Sequence, residues 1–136
     1  MDISEKLKKC TGFQWDKGNI EKNWLKHKVS PPECEQIFFN IPLIVHDDIK
    51  HSEEENRYYI LGKTNANRFL FVVFTLRQKQ IRIISARDMN REERRVYRDY
   101  EEIHCNLKMK IMKETSGKKQ ILRNISIGKA KKSSFI

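Results

Sequence analysis

Residues 69–86 read Phe69-Leu70-Phe71-Val72-Val73-Phe74-Thr75-Leu76, then Arg77-Gln78-Lys79, then Gln80-Ile81-Arg82-Ile83-Ile84-Ser85-Ala86. Two segments rich in β-branched and aromatic residues, parted by three polar ones, predict an antiparallel hairpin. Arg57 to Leu61 has the same character, and the polar stretch from Gly62 to Arg68 is short enough to join it to Phe69–Leu76. Leu43 to His46 adds a short apolar strand, followed by a polar loop from Asp47 to Asn56.

Ahead of these strands, Phe13 to Trp15 reads as a short strand and Asp16 as the N-cap of a helix to about Lys28. Ile20, Trp24 and His27 fall at helical spacing on one side, which predicts that they face inward. Ser30, Pro31 and Glu33 supply a cap, a proline at the first helical position and a capping-box carboxylate. The second helix should reach about Phe39, with Cys34, Ile37 and Phe38 toward the core and Pro42 preventing continuation. Asn90 and Glu93 form a second capping box, opening a helix through Val96, Tyr97, Tyr100 and Ile103. The expected class is α+β: an antiparallel sheet of about four strands, two N-terminal helices and a C-terminal helix, with one sheet face left open to a ligand.

The 136 residues, 38% hydrophobic and 34% charged, suit one domain with one core. No apolar run approaches the ~20 residues that cross a bilayer, and the N-terminus lacks a signal-peptide apolar stretch, so a cytoplasmic protein without membrane contact is expected. Three cysteines, Cys10, Cys34 and Cys105, show neither pairing nor zinc spacing, so neither a disulfide framework nor a metal or other cofactor is expected. The formal net charge is +10, but residues 104–136 hold nine Lys and Arg against one acid. The chain therefore divides into a domain at 1–103 and a lysine-rich extension at 104–136, whose last part, Ser116 to Ile136, has no steady periodicity and is expected to lack fixed structure on its own. Leu107 and Ile111 fit both a strand alternation and a helical interval. Within the domain the stretch from Arg57 to Arg98 is strongly basic, as a phosphate-binding surface requires.

Phe13, Trp15 and Asp16, then Asn23, Lys26, His27, Val29, Ser30 and Glu33, reproduce an F-x-W-D and N-x-x-K-H-x-V-S-x-x-E pattern. His51-Ser52, Arg57-Tyr58 with Gly62, Val72 to Thr75 with Arg77, Ile81 to Arg87 and Glu93-Arg94 follow in order. On these residues, from about Phe13 to Tyr100, the chain resembles the BrnT family of bacterial toxins. The resemblance implies a RelE-like fold, an endoribonuclease that inhibits translation as the toxin of a type II toxin-antitoxin pair, and neutralisation by a BrnA-type antitoxin. It further implies operator DNA as an indirect partner, bound through the antitoxin. Asn19 stands where the family usually has Lys, removing a phosphate contact. Lys28 stands where it usually has Gly, which puts a left-handed helix cap in question. Pro31-Pro32 stands where it often has an aromatic and an acid.

Metal-independent RNA cleavage needs a base near the 2′-hydroxyl, cations around the transition state and a donor for the leaving 5′-oxygen. The candidate catalytic residues are His27, Lys26, Arg77 and Arg87, and the candidate RNA-binding residues Arg57, Arg82 and Tyr97. His27 can exchange a proton near neutral pH, but it can equally cap its own helix end. His51, beside acids, is the second choice of histidine. Arg82 and Arg87 are an odd number apart, so a regular strand would send them to opposite faces, and a bulge or the end of the strand near Ser85 is needed to unite them. Trp15 and Trp24 are expected in the core rather than stacked on bases. Arg87→Ala is expected to preserve folding and abolish cleavage. The competing reading is a non-catalytic, degenerate toxin that only binds antitoxin or nucleic acid.

Overall fold

The computed structural model describes residues 2–51, 54–114 and 128–129. The elements are α1 (Ile3–Lys8), β1 (Gly12–Gln14), α2 (Lys17–His27), α3 (Pro31–Gln36), β2 (Ile44–Asp47), a 3-10 turn (Ile49–His51), β3 (Arg57–Lys63), β4 (Phe69–Arg77), β5 (Gln80–Asp88), α4 (Arg91–Glu114) and β6 (Gly128–Lys129). The α+β class is as the sequence predicts, and the predicted strands and capping boxes are present. The sheet is larger and mixed: six strands in the order β1-β5-β4-β3-β2-β6, antiparallel from β2 to β5, with β1 parallel to β5 and β6 parallel to β2. Gly128 and Lys129 fall within the segment expected to lack structure, yet they pair with Ile44 and Val45; the rest of that segment lies outside the described residues. Among the described residues no helix is long and apolar enough to cross a membrane.

The central hairpin turns on Gln78 and Lys79, both at positive φ (50° and 63°), the backbone of a type I′ turn made without glycine. Thr11 N–H donates to the Lys79 carbonyl at 2.8 Å, anchoring the approach of β1 to β5. Farther along, the register slips: Phe74 faces Ile83 while Val73 faces Ser85, leaving Ile84 as a one-residue bulge.

Alternation along the strands builds two cores. Tyr58, Ile60, Val72, Phe74 and Ile83 point to the side covered by α1 and α3, where Cys34 and Ile37 are buried as predicted. Gly62 lies against α3 because a Cβ there would sit 2.9 Å from the Ile37 Cβ. Tyr59, Leu61 and Phe71 point to the other side, and α4 lays Val96, Tyr97 and Tyr100 over them. That side is therefore not left open as expected; its Leu61–Phe71 end carries α4. The helix also continues past Ile103 to Glu114, a length of roughly 36 Å at about 1.5 Å per residue, so the helical interval of Leu107 and Ile111 is the one realised.

The hydrophobic pattern of α2 misleads. Where β1 stops, α2 takes over the edge of β5 with polar side chains: Asn19 Nδ2 donates to the Ile83 carbonyl at 3.4 Å, Lys22 Nζ to the Ile84 carbonyl at 3.2 Å, and Asn23 Oδ1 accepts from Ala86 N–H at 3.2 Å. A strand edge presents unpaired amides and carbonyls, so the helix face turned to it has to be polar. Trp24 consequently stays 49% exposed instead of entering the core. The helix ends in a left-handed cap at Lys28 (φ 54°, ψ 41°), with Lys28 N–H on the Trp24 carbonyl and Val29 N–H on the Asn23 carbonyl.

Arg68, just before β4, ties this corner together. Its Nε and Nη2 donate to Asp88 at 2.7 and 3.1 Å, Nη1 to Glu33 at 3.0 Å and to the Lys28 carbonyl at 2.8 Å, and Nη2 to the His27 carbonyl at 2.9 Å. The hydrogen bond from Arg68 holds the Asp88 carboxyl below its ordinary range. Burial pushes Glu33 up, but bonds from Ser30 and Arg68 outweigh it and leave that carboxyl lowered too. Depressed carboxyl pKa values stabilise the fold above their unfolded values, and this contribution is lost as pH falls through the folded ones. Arg68→Ala is therefore expected to lower stability near neutral pH by about 2 kcal/mol, and to flatten the loss of stability below about pH 4. Urea unfolding at several pH values checks both; an unchanged acid limb would contradict the assignment.

Candidate functional site

Arg57, Arg77, Arg82 and Arg87 share one side of the sheet. On β4 the odd-numbered residues from Phe69 to Arg77 lie on the α4 side, and the register puts Arg57 and Arg82 on either side of Thr75. The bulge at Ile84 restores the odd interval between Arg82 and Arg87, so both join that side, as the sequence argument requires. Arg57 and Arg82, two strands apart, are separated by roughly 10 Å, and Arg77 and Arg87 by roughly 20 Å along the strands. The four form a track rather than one pocket.

Each guanidinium of the hairpin has a carboxylate beside it. Arg77 pairs with Glu55 at 3.1 Å and Arg82 with Asp16 at 3.1 Å. Asp16 is the N-cap of α2, and the Asn19 and Gly18 N–H groups, with Arg82 behind them, hold its carboxyl below the ordinary value. These are surface pairs, open to exchange for a phosphate. Arg87 is different. It forks onto Glu93 at 2.7 and 2.9 Å, donates to the Asp88 carbonyl at 3.1 Å and lies 4.1 Å above the Phe71 ring. Glu93 is buried and also closes the capping box of α4, accepting from Asn90 N–H at 2.9 Å. Three of the five N–H donors of Arg87 are engaged in these bonds; among the described residues, Nε–H and one Nη2–H have no partner.

Lys26 and His27 are exposed on the last turn of α2. The charge of His27 is among the causes that lower Asp88, which places the imidazole near the exit of β5, and Arg87 donates to the carbonyl of that same Asp88. His27, at the end of α2, thus stands by Asp88, where Arg68 is the anchor, and Arg87 meets the backbone of the same Asp88 from the α4 side of the sheet; nothing in the sequence singled Arg68 out, because its partners come from α2, α3 and β5. Arg77 lies at the far end of the track.

Tyr97 is not available to RNA. It is fully buried, its hydroxyl donates to the Pro42 carbonyl at 2.6 Å, and burial raises its pKa. Trp15, partly buried, packs against the core, with Nε1 donating to Glu35 at 2.8 Å. His46 stacks on Tyr59 and contacts the Asp47 carbonyl, and His51 belongs to the 3-10 turn. Among the described residues no group of three His, Cys, Asp or Glu is placed to hold a metal ion.

The family described as "Ribonuclease toxin, BrnT, of type II toxin-antitoxin system" matches residues 15–93. The crystal structure of the Brucella abortus ribonuclease toxin BrnT is similar at 18% identity and a TM-score of 0.46, covering 60% of this chain and 99% of that one. No curated protein matches.

The pairing of Arg87 changes what its replacement should do. Arg87→Ala strands a buried carboxylate at the N-terminus of α4, so a loss of about 3 kcal/mol is expected in place of a neutral change in folding. Thermal unfolding of Arg87→Ala beside Arg82→Ala checks this, with only the former shifting; equal, unshifted midpoints would contradict it.

Proposed function

The chain belongs to the BrnT family of ribonuclease toxins of type II toxin-antitoxin systems, and from that premise we propose that it cleaves RNA without a metal at the corner formed by the end of α2 and the exit of β5. The supporting observation is the bulge at Ile84, which aligns Arg82 and Arg87 on one face of β5, while α2, packed on the edge of that strand, ends in an exposed His27. His27 takes the proton of the 2′-hydroxyl as the 2′-oxygen attacks phosphorus. The bond to the 5′-oxygen breaks, leaving a 2′,3′-cyclic phosphate, and the imidazolium returns its proton to the departing oxygen. Lys26 and the remaining donors of Arg87 stabilise the charge that develops on the non-bridging oxygens. Arg82, Arg57 and Arg77 lead the flanking strand along the sheet, with Arg82 and Arg77 exchanging their carboxylate partners for phosphates.

Family membership implies a protein antitoxin. We further propose a BrnA-type partner that neutralises the toxin and carries the complex to operator DNA, with translation in the cytoplasm as the process arrested. The pairing of Arg77, Arg82 and Arg87 with carboxylates favours a second reading, a module that binds RNA or antitoxin without cutting.

Incubation with single-stranded RNA in EDTA separates the two readings, since the nuclease produces cyclic-phosphate ends and the binder only retards the RNA. His27→Gln is expected to reduce cleavage by at least about 100-fold while leaving the unfolding midpoint unchanged. A His27→Gln protein as active as the parent would overturn the assignment of the base.

A further inference from the structure

Residues 24–28, Trp24-Leu25-Lys26-His27-Lys28, are all exposed. Trp24 and His27 are spaced i and i+3 on α2, so they share one side of it, with side chains about 5–6 Å apart at their bases, and Lys28 follows as the left-handed cap. That side is distinct from the one formed by Asn19, Lys22 and Asn23, which is spent on the edge of β5. The indole is half exposed, and Lys28 folds back so that Nζ lies 5.2 Å from the ring centre. Lys28 does this from a left-handed backbone conformation that glycine would adopt without strain, so the position holds a cation over the ring at a conformational cost. On its side of the helix the indole has Ile20 and Glu21 one turn back and His27 one turn on, and the Lys28 ammonium stands over its ring. Toward the helix end the indole is followed by Lys26 and Lys28, with Lys28 over the ring, and this suits a nucleobase joined to phosphates better than an apolar protein surface.

A helix C-terminus ordinarily repels an anionic strand because its last carbonyls carry partial negative charge. Here the carbonyls of His27 and Lys28 both accept from Arg68, whose positive charge offsets them.

Resting on the nuclease reading of this corner, we infer that Trp24 is a stacking platform for one unpaired base of single-stranded RNA, in the nucleotide next to the phosphate that His27 addresses. Lys28 contacts the phosphate joining the two. Trp24 is thus a positioning residue for the substrate and has no part in the chemistry.

The test uses the full chain with Trp24→Ala and Trp24→Phe. With a single-stranded RNA substrate, Trp24→Ala is expected to raise KM roughly tenfold with kcat within about twofold, and Trp24→Phe to recover most of that loss. A 2′-O-methyl oligoribonucleotide, which cannot be cleaved, is expected to quench the parent's indole fluorescence. The quench should vanish in Trp24→Phe, where Trp15 is the remaining tryptophan. Unchanged KM in Trp24→Ala, or a quench that persists in Trp24→Phe, overturns the platform while leaving the nuclease reading standing. A protein that shows the Trp24 quench but never cuts RNA supports the platform and overturns the nuclease reading. Loss of antitoxin binding in Trp24→Ala with RNA kinetics unchanged would assign the indole to a protein interface and overturn the proposal.

Discussion

The five hydrogen bonds of Arg68 are the constraint on which the rest of the molecule depends. A planar guanidinium has donors for two carboxylates and two carbonyls at once, which an ammonium lacks. Asp88 marks the exit of β5, Glu33 the first turn of α3, and the His27 and Lys28 carbonyls the end of α2, so one side chain fixes three elements relative to β4. The cluster also neutralises the end of α2. Without that cation, the carbonyls and the two acids would make the corner negative, and a polyanion would be turned away.

The second constraint is the bulge at Ile84. One extra residue on β5 keeps Ile83 and Ala86 in the same core while putting Arg82 and Arg87 together on the opposite side. Arg87 serves two ends there. Its bidentate bond to the buried Glu93 starts α4, and its unused donors are those the proposed RNA site calls on. The proposed catalytic demand and the structural one meet in one residue, whereas Arg77 and Arg82 pair with Glu55 and Asp16 at the surface.

What could be read from the sequence is what depends on local chemistry. Alternation and turn residues identified the central strands, the Ser30–Glu33 and Asn90–Glu93 spacings marked two helix starts, and the odd separation of Arg82 and Arg87 called for a bulge or a strand end, of which the fold uses the bulge. What could not be read depends on distant partners. The polar face of α2 is turned inward because it serves a strand edge, so a hydrophobic pattern placed Trp24 on the wrong side of the helix. The parallel pairing of β1 and β6, the covering of the second sheet face by α4, and the bond from Tyr97 to the Pro42 carbonyl are likewise set by residues far away in the chain. Asn19 and Lys28, where the chain departs from the family pattern, have local reasons in the fold: Asn19 reaches the Ile83 carbonyl and Lys28 adopts the left-handed cap despite its side chain.

The central claim is that RNA is addressed at the end of α2. Nuclear magnetic resonance tests it most directly, by following the imidazole signals of the four histidines during titration with a 2′-O-methyl oligoribonucleotide. The account predicts that the His27 signal moves, together with the amides of Lys28 and Val29, while His46 and His104 stay in place. Saturable binding that shifts His46 or His104 and leaves His27 unmoved would contradict it.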